Sequence, residues 1–235
     1  MFWLTDPAVW TALLQIIAID LLLGGDNAVV IALACRNLPR QQRRKAIFGG
    51  VVGAIALRVV LLFFAMQLLS LPYLKLAGAL LLLWIGIKLL VQQDDGHGEI
   101  RGDVHLFNAI KTIIVADAVM SLDNVLAVAA AGAGNIYLVS FGVLISIPVI
   151  VLGSRLVLAA MERFPVVIQL GGALIGWIAG GMAVADPVMA GWLPGSAGLQ
   201  HYLGSAVGAL FVLGIGACWN RRLKAQKNPL SSKQG

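Results

Sequence analysis

Charged side chains are scarce in this chain: 17 Lys and Arg and 11 Asp and Glu among 235 residues, or 12%. Soluble domains carry about 25%, so a solvated globular surface is excluded. Cysteine is nearly absent. Cys35 and Cys218 stand far apart and form no CxxC pair, which excludes a disulfide framework and a thiolate metal site. A basic leader is missing too. Residues 1–7 contain Asp6 and no Lys or Arg, unlike the positive start of a secretory signal, so the first apolar run reads as a retained span.

What the chain has instead is apolar length. It is 60% hydrophobic with mean hydropathy +0.91, and runs of about 18 or more apolar residues recur along it, the signature of a polytopic membrane protein. The runs predict an all-α membrane protein of seven spans, about 8–33, 46–69, 73–91, 106–131, 136–160, 166–185 and 201–219. They form a single transmembrane domain over 1–219, followed by a basic tail over 220–235.

The net charge of +6 belongs to the loops and not to a nucleic-acid surface. Arg36, Arg40, Arg43, Arg44 and Lys45 fill the first connection, and Arg221, Arg222, Lys224, Lys227 and Lys233 the tail. An odd span count puts both on one side, which the positive-inside rule makes cytoplasmic. The N-terminus is therefore expected outside and the C-terminus inside. Trp3, Trp10, Tyr73, Trp192 and Tyr202 then fall near the outer interface, where aromatic rings anchor. Lys88 and Lys111 can snorkel to the inner one. The tail beyond Asn220 is expected to be disordered and to lie against anionic lipid.

Against this background two stretches stand out. Asp20, five residues, then Asp26-Asn27 is repeated as Asp117, five residues, then Asp123-Asn124, an offset of 97 (117 − 20). Arg58 and Arg155 keep the same offset. Gly78-Ala79-Leu80 with Trp84 is echoed less exactly by Gly172-Ala173-Leu174 with Trp177. Spans 1–3 (about 8–91) therefore repeat as spans 4–6 (about 106–185), and span 7 (about 201–219) is extra. Three spans per repeat force the halves into opposite orientations, the inverted-repeat plan of many secondary transporters. Asp20 lies roughly 18 Å and Asp117 roughly 16 Å into their spans at 1.5 Å per residue, so both sit near the middle of a core of about 30 Å.

A mid-membrane Asp costs roughly 2.5–3.5 kcal/mol on insertion scales, and four are hard to explain as structure alone. Buried Asp–Arg ties between helices are the structural alternative. On a regular helix Asp26 would point about 120° away from Asp20; a break at Gly24-Gly25 would relieve this and free backbone carbonyls for a site. The second copy has Ser121-Leu122 there and predicts a break less well. Four carboxylates and two amides form a hard oxygen set suited to Mg²⁺, Ca²⁺ or Mn²⁺. Met120 would add a soft contact, although Met in a span is usually packing. Arg58 and Arg155 would offset two of the four charges, leaving −2 to match a divalent cation. Arg155, near the inner end of span 5, has snorkelling as its alternative. Gln15 and Gln169 read as interhelical hydrogen bonders. The run from Asp94 to Glu99, with Asp103 and His105, reads as a solvated acidic loop before a metal-loading site.

The stretches DLLLGGDNAVVIALA and DAVMSLDNVLAVAAA, with the basic loop after the first, resemble the TerC family of integral membrane proteins, related to the LysE-type exporters. The likeness covers about residues 8–219 and is nearest the short bacterial branch lacking a soluble C-terminal domain. It implies Mn²⁺ efflux across a bacterial inner membrane. It also implies metal-ligand roles for Asp20, Asp26, Asn27, Asp117, Asp123 and Asn124. The expectation is thus a transporter and not an enzyme, with no tightly bound cofactor and Mn²⁺ or another divalent cation as cargo. Its partners would be the lipid bilayer and no nucleic acid; self-association and metal-receiving membrane proteins stay open. Rival readings are export of an amino acid or other small solute, and an intramembrane aspartyl protease with Asp20 and Asp117 as its dyad. The protease reading lacks the Gly that one such signature needs where Leu23 stands.

Overall fold

A computed structural model of the chain describes residues 7–69, 71–91, 102–131, 136–189 and 196–227, together with the side chains of most of them. Among the described residues the fold is all-helical: α1 (Pro7–Leu23), α2 (Gly25–Cys35), α3 (Arg40–Leu69), α4 (Leu74–Val91), α5 (Gly102–Ala131), α6 (Ile136–Arg163), α7 (Val166–Val184) and α8 (Ala197–Lys227). Among the described residues six helices are long and apolar enough to cross a membrane, and the pair α1 and α2, bent by 45° at its break, brings the number to seven if it is one span. Trp3, Asp6, the acidic residues Asp94 to Glu99, Trp192, the end of the tail and the side chains of Asp103 and Asp123 lie outside the described residues.

The expected break in the first span occurs at Gly24. Its φ of −102° and ψ of 3° leave the helical region, and the Asn27 N–H closes a tight turn onto the Gly24 carbonyl at 3.1 Å. A Cβ on Gly24 would meet the Asp20 carbonyl oxygen at 2.5 Å, whereas one on Gly25 would meet nothing. Only the first glycine is needed. The second copy of the motif has no break: α5 runs unbroken through Ser121 and Leu122. The tail also departs from expectation, since α8 continues through Lys227. Arg, Leu, Lys, Ala and Gln are strong helix formers and carry the last turns beyond the apolar stretch.

Side-chain contacts fix the helix directions. Gly49, Gly50 and Gly53 of α3 receive Ile110, Ile113 and Ile114 of α5 in matching order, so these helices run parallel. Gly142 receives Ile16 and Gly153 receives Ala28, so α6 runs parallel to α1 and α2. The short turn at 36–39 reverses the chain between α2 and α3. The first span of one half therefore runs against the first span of the other, and the repeat is inverted. Packing follows the same exchange: α3 lies on α5 as α6 lies on α1 and α2, while α4 packs on its counterpart α7.

The last helix is joined to α7 by backbone contact. Gly176 and Gly180 face Gly208 and Gly204, and a Cβ at any of the four would collide with the opposite chain. Small residues four apart allow this close approach, the usual device of helix pairs in lipid. Because α8 runs antiparallel to α7, its basic end returns to the side of the 36–45 loop. That side also holds the end of α6, where Glu162 accepts a hydrogen bond from Arg43 Nη1. All the described basic loops thus share one face. Phe63, Phe64, Leu80, Trp84, Leu152 and Phe211 point outward and form part of a lipid-facing belt.

Candidate functional site

α1, α3, α5 and α6 converge at the middle of the bundle on an ion triad. Asp20 from α1 and Asp117 from α5 are the leading residues of the two motif copies, and Arg58 from α3 lies between them. All three are buried, at 2%, 8% and 6% exposure. Arg58 Nη1 donates to Asp20 Oδ1. Its Nη2 donates to Asp117 Oδ1 at 2.8 Å. Its Nε donates to Ser121 Oγ at 3.0 Å. Ser121 in turn donates to Asp117 Oδ2 at 3.2 Å, and Ser146 of α6 donates to Asp20 Oδ2. Every oxygen of the two carboxylates is therefore occupied.

Such an arrangement is sensitive to each member. In a medium of low dielectric an isolated carboxylate is very unfavourable, and removing one partner of a buried ion pair costs about 3–5 kcal/mol. One guanidinium serves two carboxylates from opposite halves, so the triad also fastens the repeats together at the level of the motif.

Asn27 supplies a different signal. It is buried at 4% exposure, yet among the described residues neither its amide nitrogen nor its amide oxygen has a hydrogen-bond partner. Buried amides are ordinarily satisfied. Asn27 lines a cavity with Arg58, Asp117 and Ser146, walled further by Val30, Ile31, Val51, Ile55, Ile113 and Ile150. The cavity is small, about 20 Å³, room for about one water. On α2, α3, α5 and α6 the apolar wall residues lie toward the basic-loop side of the triad, so the cavity reaches from the polar centre toward that side.

The remaining motif residues divide. Asp26 is half-buried in the first turn of α2 and accepts the Asn27 N–H at 2.9 Å. Asn124 is half-buried on α5. The helix position of Asp123 is described but its side chain is not. Arg155 does not join the site. It is exposed on α6, one residue after the buried Ser154, so its helix face turns away from the centre. Gln15 and Gln169 are likewise exposed. Met120 is buried within the main apolar core, as packing. Among the described residues no three His, Cys, Asp or Glu side chains gather as a preformed metal cage; the oxygen donors are two carboxylates, two hydroxyls and an amide.

Ser121 and Ser146 were not singled out in the sequence. Ser121 carried a signal, because it occupies the position of Gly24 in the repeat (24 + 97 = 121). One copy uses that position to break a helix and the other to hold Arg58. Ser146 carried none beyond being a short polar residue in an apolar run. Asp186 carries no motif signal in the sequence. It is fully buried and accepts backbone N–H groups of Tyr73 at 3.3 Å, Leu76 at 3.1 Å and Val188 at 3.0 Å. It thus caps α4 from the end of α7, beside Tyr73, whose φ of 65° is left-handed.

Comparison with known proteins agrees with this architecture. The model of the TerC integral membrane protein family matches residues 5–226. The membrane protein YjbE of Bacillus subtilis (strain 168) is 46% identical over 175 residues, 74% of this chain and 80% of its own length. YceF of the same organism is 29% identical, covering 77% and 73%. The UPF0053 inner membrane protein YgdQ of Escherichia coli (strain K12) is 28% identical, covering 69% and 76%. No solved structure matches the chain.

Proposed function

Since the chain belongs to the TerC family of integral membrane proteins, we propose that it is a transporter exporting a divalent metal cation, foremost Mn²⁺, across a bacterial inner membrane. The observation that carries this reading is the pair Asp20 and Asp117, buried mid-bundle from opposite halves, with Asp117 lining the same cavity as the unpartnered Asn27 amide. Intramembrane carboxylates of this kind mark ion pathways, and transporter sites form between inverted repeats. Carboxylate, hydroxyl and amide oxygens favour hard cations. Asp26, Asp123 and Asn124 would complete the shell once the ion draws the motif segments together.

With Arg155 outside the centre, four motif carboxylates and one guanidinium sum to −3. A divalent ion leaves −1, so one retained proton would make the loaded site neutral. This motivates proton exchange for metal; vesicle transport indifferent to a pH gradient would remove it. Alternating access would bend the molecule at this level. α1–α2 is interrupted at Gly24 and its partner α6 contains Pro148, whereas α3 and α5 run through.

The apolar wall of the cavity favours a second reading, export of a small organic amine, in which that amine and not a metal would compete for Asp117. A protease dyad is disfavoured because Arg58 lies between the two carboxylates, which must share a proton to cleave a peptide bond. The test is cellular metal content by mass spectrometry in a strain lacking its own manganese exporters. Wild type should lower manganese after a Mn²⁺ load, and Asp117→Asn, present in the membrane in equal amount, should not. Manganese unchanged by wild type would reject the proposal.

A further inference from the structure

We infer that Arg58 is a tethered stand-in for the transported cation, so that ion binding is an exchange of the ion for the guanidinium. The inference rests on the proposed transport function and specifies what the empty site does. Arg58 holds one oxygen of each carboxylate, and Ser146 and Ser121 hold the other two. A metal ion cannot reach both Asp20 and Asp117 while this pattern stands. The guanidinium does not lose its proton in proteins, so it yields only by moving. Arg58 lines the cavity that also holds Asn27, whose unpartnered amide oxygen can accept a displaced N–H; the cavity holds little more than a water, so the guanidinium enters it only as the surrounding helices part.

The reverse step has the same logic. When the ion leaves, two carboxylates remain buried without a counter-charge, a state that low dielectric makes very unfavourable. Arg58 returns and closes the centre. The empty carrier is thereby a packed state in which each carboxylate of the pair keeps a cationic partner, and it can reorient without another external cation at the pair. Arg58 thus permits net transport and lowers apparent affinity, because an ion must first displace it.

The experiment uses purified full-length protein in sealed vesicles and compares two ⁵⁴Mn²⁺ fluxes. One is net efflux into metal-free buffer, and the other is exchange against unlabelled Mn²⁺. Arg58→Gln should lower the ratio of net efflux to exchange by about tenfold or more, the factor for losing one charge-assisted bond. Its apparent Mn²⁺ affinity, read from the free-Mn²⁺ spin-resonance signal in detergent, should tighten. Arg58→Lys keeps a cation and should restore the ratio to within about threefold of wild type, under 1 kcal/mol at tenfold per 1.4 kcal/mol. An unchanged ratio in Arg58→Gln, or an equal fall in both variants, would overturn the inference. If Arg58→Gln does not reach the membrane, Arg58→Lys decides, because a shorter, less bridging cation should still tighten Mn²⁺ binding, and weaker binding would count against the exchange. Wild-type protein moving Mn²⁺ in neither mode would reject the transport function itself, a different failure.

Discussion

Ser146 is the residue whose contribution can be isolated most cleanly. Its hydroxyl holds Asp20 Oδ2 without carrying charge, and its loss leaves the guanidinium bridge in place. Ser146→Ala should therefore keep the fold and weaken Mn²⁺ binding by about ten- to a hundredfold, the range for one lost hydrogen bond to a charged group. Titration of the purified variant reads this directly. Asp186 gives a pH-dependent prediction at the same scale. Burial alone pushes its carboxyl up, but the N–H groups of Val188, Leu76, Tyr73 and Lys75 outweigh that and hold it below the usual carboxylate range. A depressed folded-state value stabilises the fold above the unfolded value of about 4 and is lost as pH falls through the folded one. Thermal unfolding in detergent should thus fall more between pH 5 and pH 3 for wild type than for Asp186→Asn. Equal slopes would mean the α4 cap contributes nothing.

Two helix features separate what the sequence could show from what it could not. The break in the first span was legible because Gly24-Gly25 interrupts an apolar run beside a carboxylate, and the structure identifies Gly24 as the necessary one. Gly24→Ala would press its Cβ onto the Asp20 carbonyl, straightening or displacing the very residue that binds Arg58. We expect transport to fall at least tenfold while Gly25→Ala, with open space around it, stays near wild type; vesicle flux compares them. The joining of α7 and α8 was less legible. Pairing of Gly176 and Gly180 with Gly208 and Gly204 needs both helices in register, which no single segment encodes. Gly180→Leu should detach α8 and lower the detergent melting temperature, with the triad's chemistry otherwise present. An unchanged melting temperature would refute that packing role.

At the scale of the whole molecule, an all-helical bundle of six to seven spans, the inverted repeat and the gathering of basic segments on one face followed from periodicity and charge, since each is a property of long apolar runs and short loops. The pairing of Asp20 with Asp117 followed from their equal depth. What did not follow is the asymmetry between the halves. Arg58 and Arg155 hold equivalent places in the repeat, yet one is buried in the centre and the other is exposed. Their helices turn different faces inward, and α1–α2 bends where α5 does not. An inverted repeat with one buried arginine and one helix break at its centre has two inequivalent halves.

The most direct measurement is Mn²⁺ flux into sealed vesicles containing the purified protein, with Asp20→Asn and Asp117→Asn measured separately at equal protein content. The account predicts saturable flux for wild type and a loss of at least tenfold in each variant, since the two halves contribute one carboxylate each to a single site. Flux that survives either substitution would contradict a shared site between the repeats.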